Sequence, residues 1–124
     1  PSCVAAARAA GFVAYAPSEL PAEQFDSLLF SHVLEHVDDP AGLIRAYLPR
    51  LKPAGRVIVM TPQEAGHRSD PTHVDFLDFE KLGEIVAACG LTLDRAYSFP
   101  FPRWAGAFFT YNEFVVTANS PGAA

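Results

Sequence analysis

At 124 residues, half of them apolar and 19% charged, the chain is sized for a single domain, and its composition excludes intrinsic disorder. A net charge of −5 with nine scattered Lys and Arg residues gives no footprint for nucleic acid. No signal-peptide pattern and no apolar run long enough to span a bilayer occur, which argues against a membrane partner.

The opening reads as a helix from Cys3 to Ala10, capped by Ser2 and ended by Gly11. Phe12 to Tyr15 is a short strand candidate, followed by a polar, two-proline connection over Ala16 to Gln24. Leu28, Leu29 and Phe30 then form an apolar strand that ends at Ser31-His32. Asp39 is a good N-cap, and Pro40 suits the first helical position. Leu43, Ile44, Tyr47, Leu48 and Leu51 share one face of the helix that follows. Pro49 removes a donor and clashes with the carbonyl of Arg45, so this helix should kink or finish near Leu48. Arg56 to Thr61 carries Val57, Ile58, Val59 and Met60 without alternation, as a parallel strand covered on both faces would. Strand, helix and strand make a β-α-β unit. Ligands of open parallel sheets bind at the carboxyl ends of the strands, and there the segment Ser31 to His36, SHVLEH, falls.

Gln63 to Val74 reads as a loop. Asp78 caps a helix with Leu82, Ile85, Val86 and Cys89 inward and Gly90 as its stop. Leu91 to Phe99 is a strand, Pro100 to Gly106 a loop, and Phe108 to Ala118 the last strand. The domain thus spans residues 1–118, and residues 119–124 form a flexible tail. Tyr97, Phe99, Phe101, Trp104, Phe108, Phe109 and Tyr111 are expected mostly in the core or on a sheet face. The exception is Phe101 to Trp104, which two prolines hold off the sheet. It would wall an apolar substrate pocket or cover a hydrophobic edge. Cys3 and Cys89 lack CxxC spacing and read as two buried thiols in a reducing cytoplasm.

Two clusters carry chemistry. His32, Glu35 and His36 spell H-x-x-E-H, a zinc motif when all three lie on one helix. Here the segment leaves a strand, so the spacing reads as coincidental, no metal is assigned, and Glu35 and His36 are expected to cap the start of the helix. His67, Asp70, His73 and Asp75 crowd the loop after the buried strand. They admit three readings: a turn at Asp70-Pro71-Thr72 with His73 satisfying buried backbone, a contact or base for a substrate, or a metal site.

The pattern FDSLLFSHVLEHVDDP, followed a helix later by LKPAGRVIVMTP and then by DPTHVDF and AACGL, resembles the later part of class I S-adenosylmethionine-dependent methyltransferases of the type 11/12 kind. The resemblance implies an α/β Rossmann-like sheet, mostly parallel with an antiparallel last strand beside the strand of LKPAGRVIVM. It implies methyl transfer from S-adenosylmethionine to a small-molecule acceptor in the cytoplasm. Ser31, His32 and Val33 would line the methionine end of the cofactor, and Ser18 and Glu19 the adenine. Ala16 stands where the family usually carries an acidic residue. His73 and Asp75 would face the acceptor as catalytic residues. The chain holds no GxGxG, so it resembles such an enzyme without its N-terminal strands and their Gly-rich cofactor loop, and this chain alone is expected to be inactive. The strand of Leu28 to Phe30 would then have an open edge, through which the chain would form a homodimer. Two rivals stand beside this reading, a non-catalytic interaction module and a metal-dependent hydrolase.

Overall fold

The computed structural model describes residues 2–122, except for the side chain of Ser2. The expected Ser2 cap and the last two residues of the expected tail therefore lie outside the described residues. Among the described residues, four helices and four strands follow in the order helix, strand, helix, strand, two helices, two strands, with short 3-10 turns between some of them. Helix α1 (Ser2–Ala9) ends as read, with Gly11 left-handed at φ 92° and the Phe12 amide donating to Ala7 O. Phe12 to Tyr15 is not a strand, which corrects the expectation from sequence. A strand needs a neighbour, and this segment has none: Phe12 is 69% exposed, and the Arg8 side chain donates to Ala14 O instead.

Strand β1 (Phe25–Ser31) pairs in parallel with β2 (Leu51–Pro62) through helix α2 (Pro40–Tyr47). Asp39 caps α2 by accepting from the Gly42 amide, and Pro49 ends it, the chain tightening into a 3-10 turn over Leu48–Arg50. A short helix α3 (Glu64–Arg68) interrupts the stretch expected as loop, and helix α4 (Phe79–Ala88) follows, capped by Asp78. Strands β3 (Thr92–Phe99) and β4 (Glu113–Asn119) close the sheet in the order β1-β2-β4-β3, with β4 antiparallel to both neighbours. The last strand thus inserts beside β2, as expected, but starts at Glu113 rather than Phe108. Residues 108–112 are held in a turn by Asn112, whose side chain reaches back to Phe101 and Pro102.

One face of the sheet is the core. Phe30, Val57, Val59, Phe114, Val116 and Ala118 pack there against Ile44 of α2 and Leu82 and Val86 of α4. The other face of β2 is only half-buried at Ile58 and Met60, so β2 is not covered equally on both sides. Of the aromatic residues, Tyr97 and Phe99 lie exposed on the edge strand β3, and Phe101 and Trp104 wall an apolar cleft off the sheet. Phe108 and Tyr111 depart from expectation, being exposed and outside any strand. Cys3 is exposed rather than buried, for it sits on α1, which donates nothing to the core cluster, and Cys89 is half-buried. Beyond Asn119 the chain is still tied down, Ser120 N donating to Gly55 O and Ala54 N to Pro121 O. No helix of the described residues is long and apolar enough to cross a membrane.

Candidate functional site

At the carboxyl end of β1 the chain turns sharply. The His32 amide still donates to Met60 O of β2, but His32 itself is left-handed at φ 56°. That turn throws residues 34–36 into a single 3-10 turn rather than a helix, with Leu34 buried in the core and Glu35 beside it. Glu35 does not cap α2, which corrects the expectation; Asp39 does. The Glu35 side chain is instead fully buried, and neither carboxylate oxygen has a hydrogen-bond partner.

The loop after α3 folds back over this carboxylate. Val74 N donates to Glu35 O at 2.6 Å, pinning loop to turn. All four histidines of the chain gather here. Around Glu35 Oε2 stand His32 Nδ1 at 3.4 Å, His73 Nε2 at 3.9 Å and His36 Nε2 at 4.0 Å. These are ion-pair separations, but none has hydrogen-bond geometry. The rings of His36 and His73 lie 4.7 Å apart, and His67 stacks on His73 at 5.3 Å. Burial, followed by the neighbouring His73, pushes the His67 imidazole below its ordinary pKa.

Two main-chain carbonyls settle how the rings are set. His73 Nδ1 lies 2.8 Å from His67 O, and His36 Nδ1 lies 3.2 Å from Thr72 O. A carbonyl only accepts, so both Nδ1 atoms carry a hydrogen, and in the neutral tautomer this selects each Nε2 is the free acceptor, on the side of Glu35. Thr72 is itself fixed, its hydroxyl and amide both donating to Asp70 Oδ1. Those two bonds, the hydroxyl one first, hold the Asp70 carboxyl below its ordinary pKa. On the far side, His32 Nε2 sits 3.0 Å from Glu113 Oε2 on β4.

The cluster opens onto a cleft of about 260 Å³ lined by His32, His36, Asp70, His73 and Tyr111 among others. Along β1, beyond Val33, a second cleft of about 280 Å³ is walled by Leu28, Leu29, Phe30, Leu43 and Tyr47. Ser31 is exposed between the two. Of the residues singled out from sequence, the structure therefore brings together His32, His67, Asp70 and His73. Asp75 is exposed and does not line the cleft. Ser18 and Glu19 lie on a separate 3-10 turn, where Glu19 accepts from the Ala16 amide and pairs with Arg8 at 3.2 Å. Those contacts, the amide first, pull its pKa down. Glu35 and Glu113 were not singled out as site residues, although the H-x-x-E-H spacing already pointed at the first.

Residues 2–96 match a family of proteins described as "Methyltransferase domain". The chain belongs to this methyltransferase family. Solved structures share the methyltransferase fold. The [4+2]-cyclase SpnF aligns at TM-score 0.65 and 21% identity, over 96% of this chain and 61% of its own. The Burkholderia thailandensis 1,6-didemethyltoxoflavin-N1-methyltransferase, solved with 1,6-didemethyltoxoflavin and S-adenosylhomocysteine, aligns at 0.64 and 22% identity, over 98% and 57%. A Haloferax volcanii methyltransferase solved in complex with the Trm112 activator aligns at 0.69 and 16% identity, over 100% and 69%. At these identities the likeness is one of fold, and the chain spans about three-fifths of the first two proteins. No curated protein matches it. The sheet places the histidine cluster at the carboxyl ends of its parallel pair, β1 and β2, the side on which open parallel sheets hold ligands.

Proposed function

We propose that this domain transfers a methyl group from S-adenosylmethionine to a small-molecule acceptor. The observation that carries the reading is the adjacency of two clefts at the carboxyl end of β1, one apolar and one lined by histidines, with Ser31, His32 and Val33 between them. The residues fit one end of the cofactor: Val33 and Leu29 offer an apolar wall, and Ser31 an exposed hydroxyl at a strand terminus. Bound there, the cofactor supplies an electrophilic methyl group on a sulfonium. Ser18 and Glu19 are assigned to the adenine, Glu19 on condition that it releases Arg8. The remaining cradle comes from outside these 124 residues, since the chain holds no GxGxG and the similar proteins are longer.

The chain's own contribution is placement. The cleft of the histidines would receive the acceptor, hold it in line with the methyl group and keep water out. His73 is the better placed of the two acceptor-facing candidates, because its ring is fixed by His67 O and lines the cleft, whereas Asp75 is exposed and does not line it. In the full-length protein, His73→Ala should lower kcat by about 100-fold, read as S-adenosylhomocysteine release, and Asp75→Ala by less. A full-length protein that fails to bind S-adenosylmethionine in calorimetry would end this reading. His73→Ala and Asp75→Ala variants that both turn over normally would overturn only the assignment of these two residues to the acceptor.

The same reading leaves β1 at the edge of the sheet, with Leu29 61% exposed on it. The isolated chain should therefore pair edge to edge as a two-fold dimer. Light scattering that shows a monomer at high concentration would refute this.

A further inference from the structure

We infer that Glu35, His36 and His73 form a binding site for a divalent first-row transition-metal ion, open to the cleft lined by His32, Asp70 and Tyr111. The argument starts from an imbalance of donors and acceptors. Glu35 is fully buried with both oxygens unpartnered. The Nε2 atoms of His36 and His73 stand 4.0 and 3.9 Å from Glu35 Oε2, and in the neutral rings they are the free acceptors, because the Nδ1 hydrogens go to Thr72 O and His67 O. Asp70 Oδ2 adds a further acceptor 3.8 Å from His73 Nε2. With the rings neutral, these acceptors converge on one point, and no hydrogen bond reaches either oxygen of Glu35. A buried carboxylate in that position calls for a cation.

The ligand set and its support agree. One ligand atom from each of Glu35, His36 and His73 lies within 4.8 Å of the other two. Around a tetrahedral zinc ion with bonds of about 2.0–2.1 Å, ligand atoms stand roughly 3.4 Å apart. Closing the gap takes a contraction of roughly 0.5–1.5 Å, which side-chain torsions supply, most easily at the exposed His36. Two imidazoles and one carboxylate suit zinc, iron(II) or manganese(II). Three protein ligands also leave at least one position open toward the cleft, as catalytic rather than structural sites do. Each imidazole already donates its other nitrogen's hydrogen to a carbonyl, the outer-shell contact that orients metal-binding histidines. An ion here would present its open position to the cleft assigned to the acceptor, where it would hold an oxygen or nitrogen of that molecule. The metal site itself does not rest on methyl transfer.

The test uses the full-length protein, stripped with a chelator and titrated with Zn²⁺ by calorimetry. One equivalent should bind. His36→Ala, chosen because its exposed ring contributes little to folding, and His73→Ala should each weaken binding beyond the ~10–100-fold that an outer-shell change costs. Glu35→Gln should do the same, and Glu84→Gln on the exposed side of α4 should not. Replacement by Co²⁺ should give visible ligand-field absorption that His36→Ala abolishes. No binding by the wild type, or equal binding by folded His36→Ala and His73→Ala variants, overturns the inference. Both readouts are independent of turnover. A protein that binds zinc but transfers no methyl group would refute the proposed function alone, and the converse would refute only the metal site.

Discussion

The molecule buries two polar clusters at the same end of its sheet, and they are built on opposite terms. Around Gln63 and Asn112, both fully buried, the polar groups are matched. Asn112 Nδ2 donates to Gln63 Oε1, Phe101 O and Pro102 O, while its Oδ1 accepts from the Phe101 amide. Gln63 Nε2 donates in turn to Ser98 Oγ and Glu113 O. Gly106 has no side chain because a Cβ there would overlap the Gln63 carboxamide. Around Glu35 the reverse holds, with acceptors gathered and donors turned away. Polar groups that complete one another fix a fold, here by holding the aromatic turn of residues 99–112 against β2 and β4. Polar groups left incomplete wait for something else, and natural proteins keep such groups chiefly where they act.

Mutation should separate the two clusters by sign. Asn112→Ala strands the Gln63 carbonyl, the Phe101 amide and two carbonyls at once, and should cost on the order of 3 kcal/mol of unfolding free energy. Glu35→Gln in metal-free protein replaces a buried carboxyl group that has no hydrogen bond to lose. It should leave stability within about 1 kcal/mol of wild type, or raise it. With zinc present the wild type should gain about 2.7 kcal/mol at a free concentration 100 times Kd, and Glu35→Gln should gain nothing. Urea unfolding with and without zinc measures all of these. If Glu35→Gln proved as damaging as Asn112→Ala without metal, Glu35 would be a structural residue and the contrast would collapse.

How much of this was legible in the sequence follows from how local each signal is. Helices α2 and α4 announce themselves through Asp39-Pro40 and through Asp78 with Gly90, and lie where read. Strand β2 is visible through its apolar run but starts at Leu51 rather than Arg56, so Leu51 belongs to the strand and not to the face of α2. Strand order and the insertion of β4 came from family resemblance, not from spacing. The failures share a cause. Phe12 to Tyr15 has the composition of a strand but no neighbour, and residues 108–112 lose theirs to the side chain of Asn112. Glu35 looks like an ordinary helix-capping acid until the loop bearing Thr72, 36 positions beyond His36, folds over it. Partners that distant leave no mark on the local pattern, so the H-x-x-E-H spacing was visible while its meaning was not.

Helix α3 joins the two clusters, starting beside Gln63 and ending near His67, and its Glu64 offers the finest probe of the difference. Arg103 grips Glu64 with two bonds of 2.7 and 2.9 Å, clamping the 3-10 turn of Arg103–Ala107 onto α3. The Arg103 hydrogen bond is the main reason the Glu64 carboxyl sits below its ordinary value of 4.5. A carboxyl depressed in the folded state stabilises it fully above the unfolded pKa, and that contribution fades as the pH falls through the folded value. The pair therefore helps near neutrality and is lost on acidification below about pH 4.5. Because Arg103 and Glu64 are 42% and 35% exposed, solvent screens them, and the effect should be about 0.2–1 kcal/mol. The Arg103 guanidinium also lies over Phe114, its Cζ 4.7 Å from the ring centre, so Arg103→Met removes the clamp and this pH-independent ring contact together. The variant's stability deficit should shrink steadily between pH 6 and pH 3. A deficit that stays constant across that range would show that Arg103 acts through packing alone, and that the matched cluster holds its aromatic turn without help from this clamp.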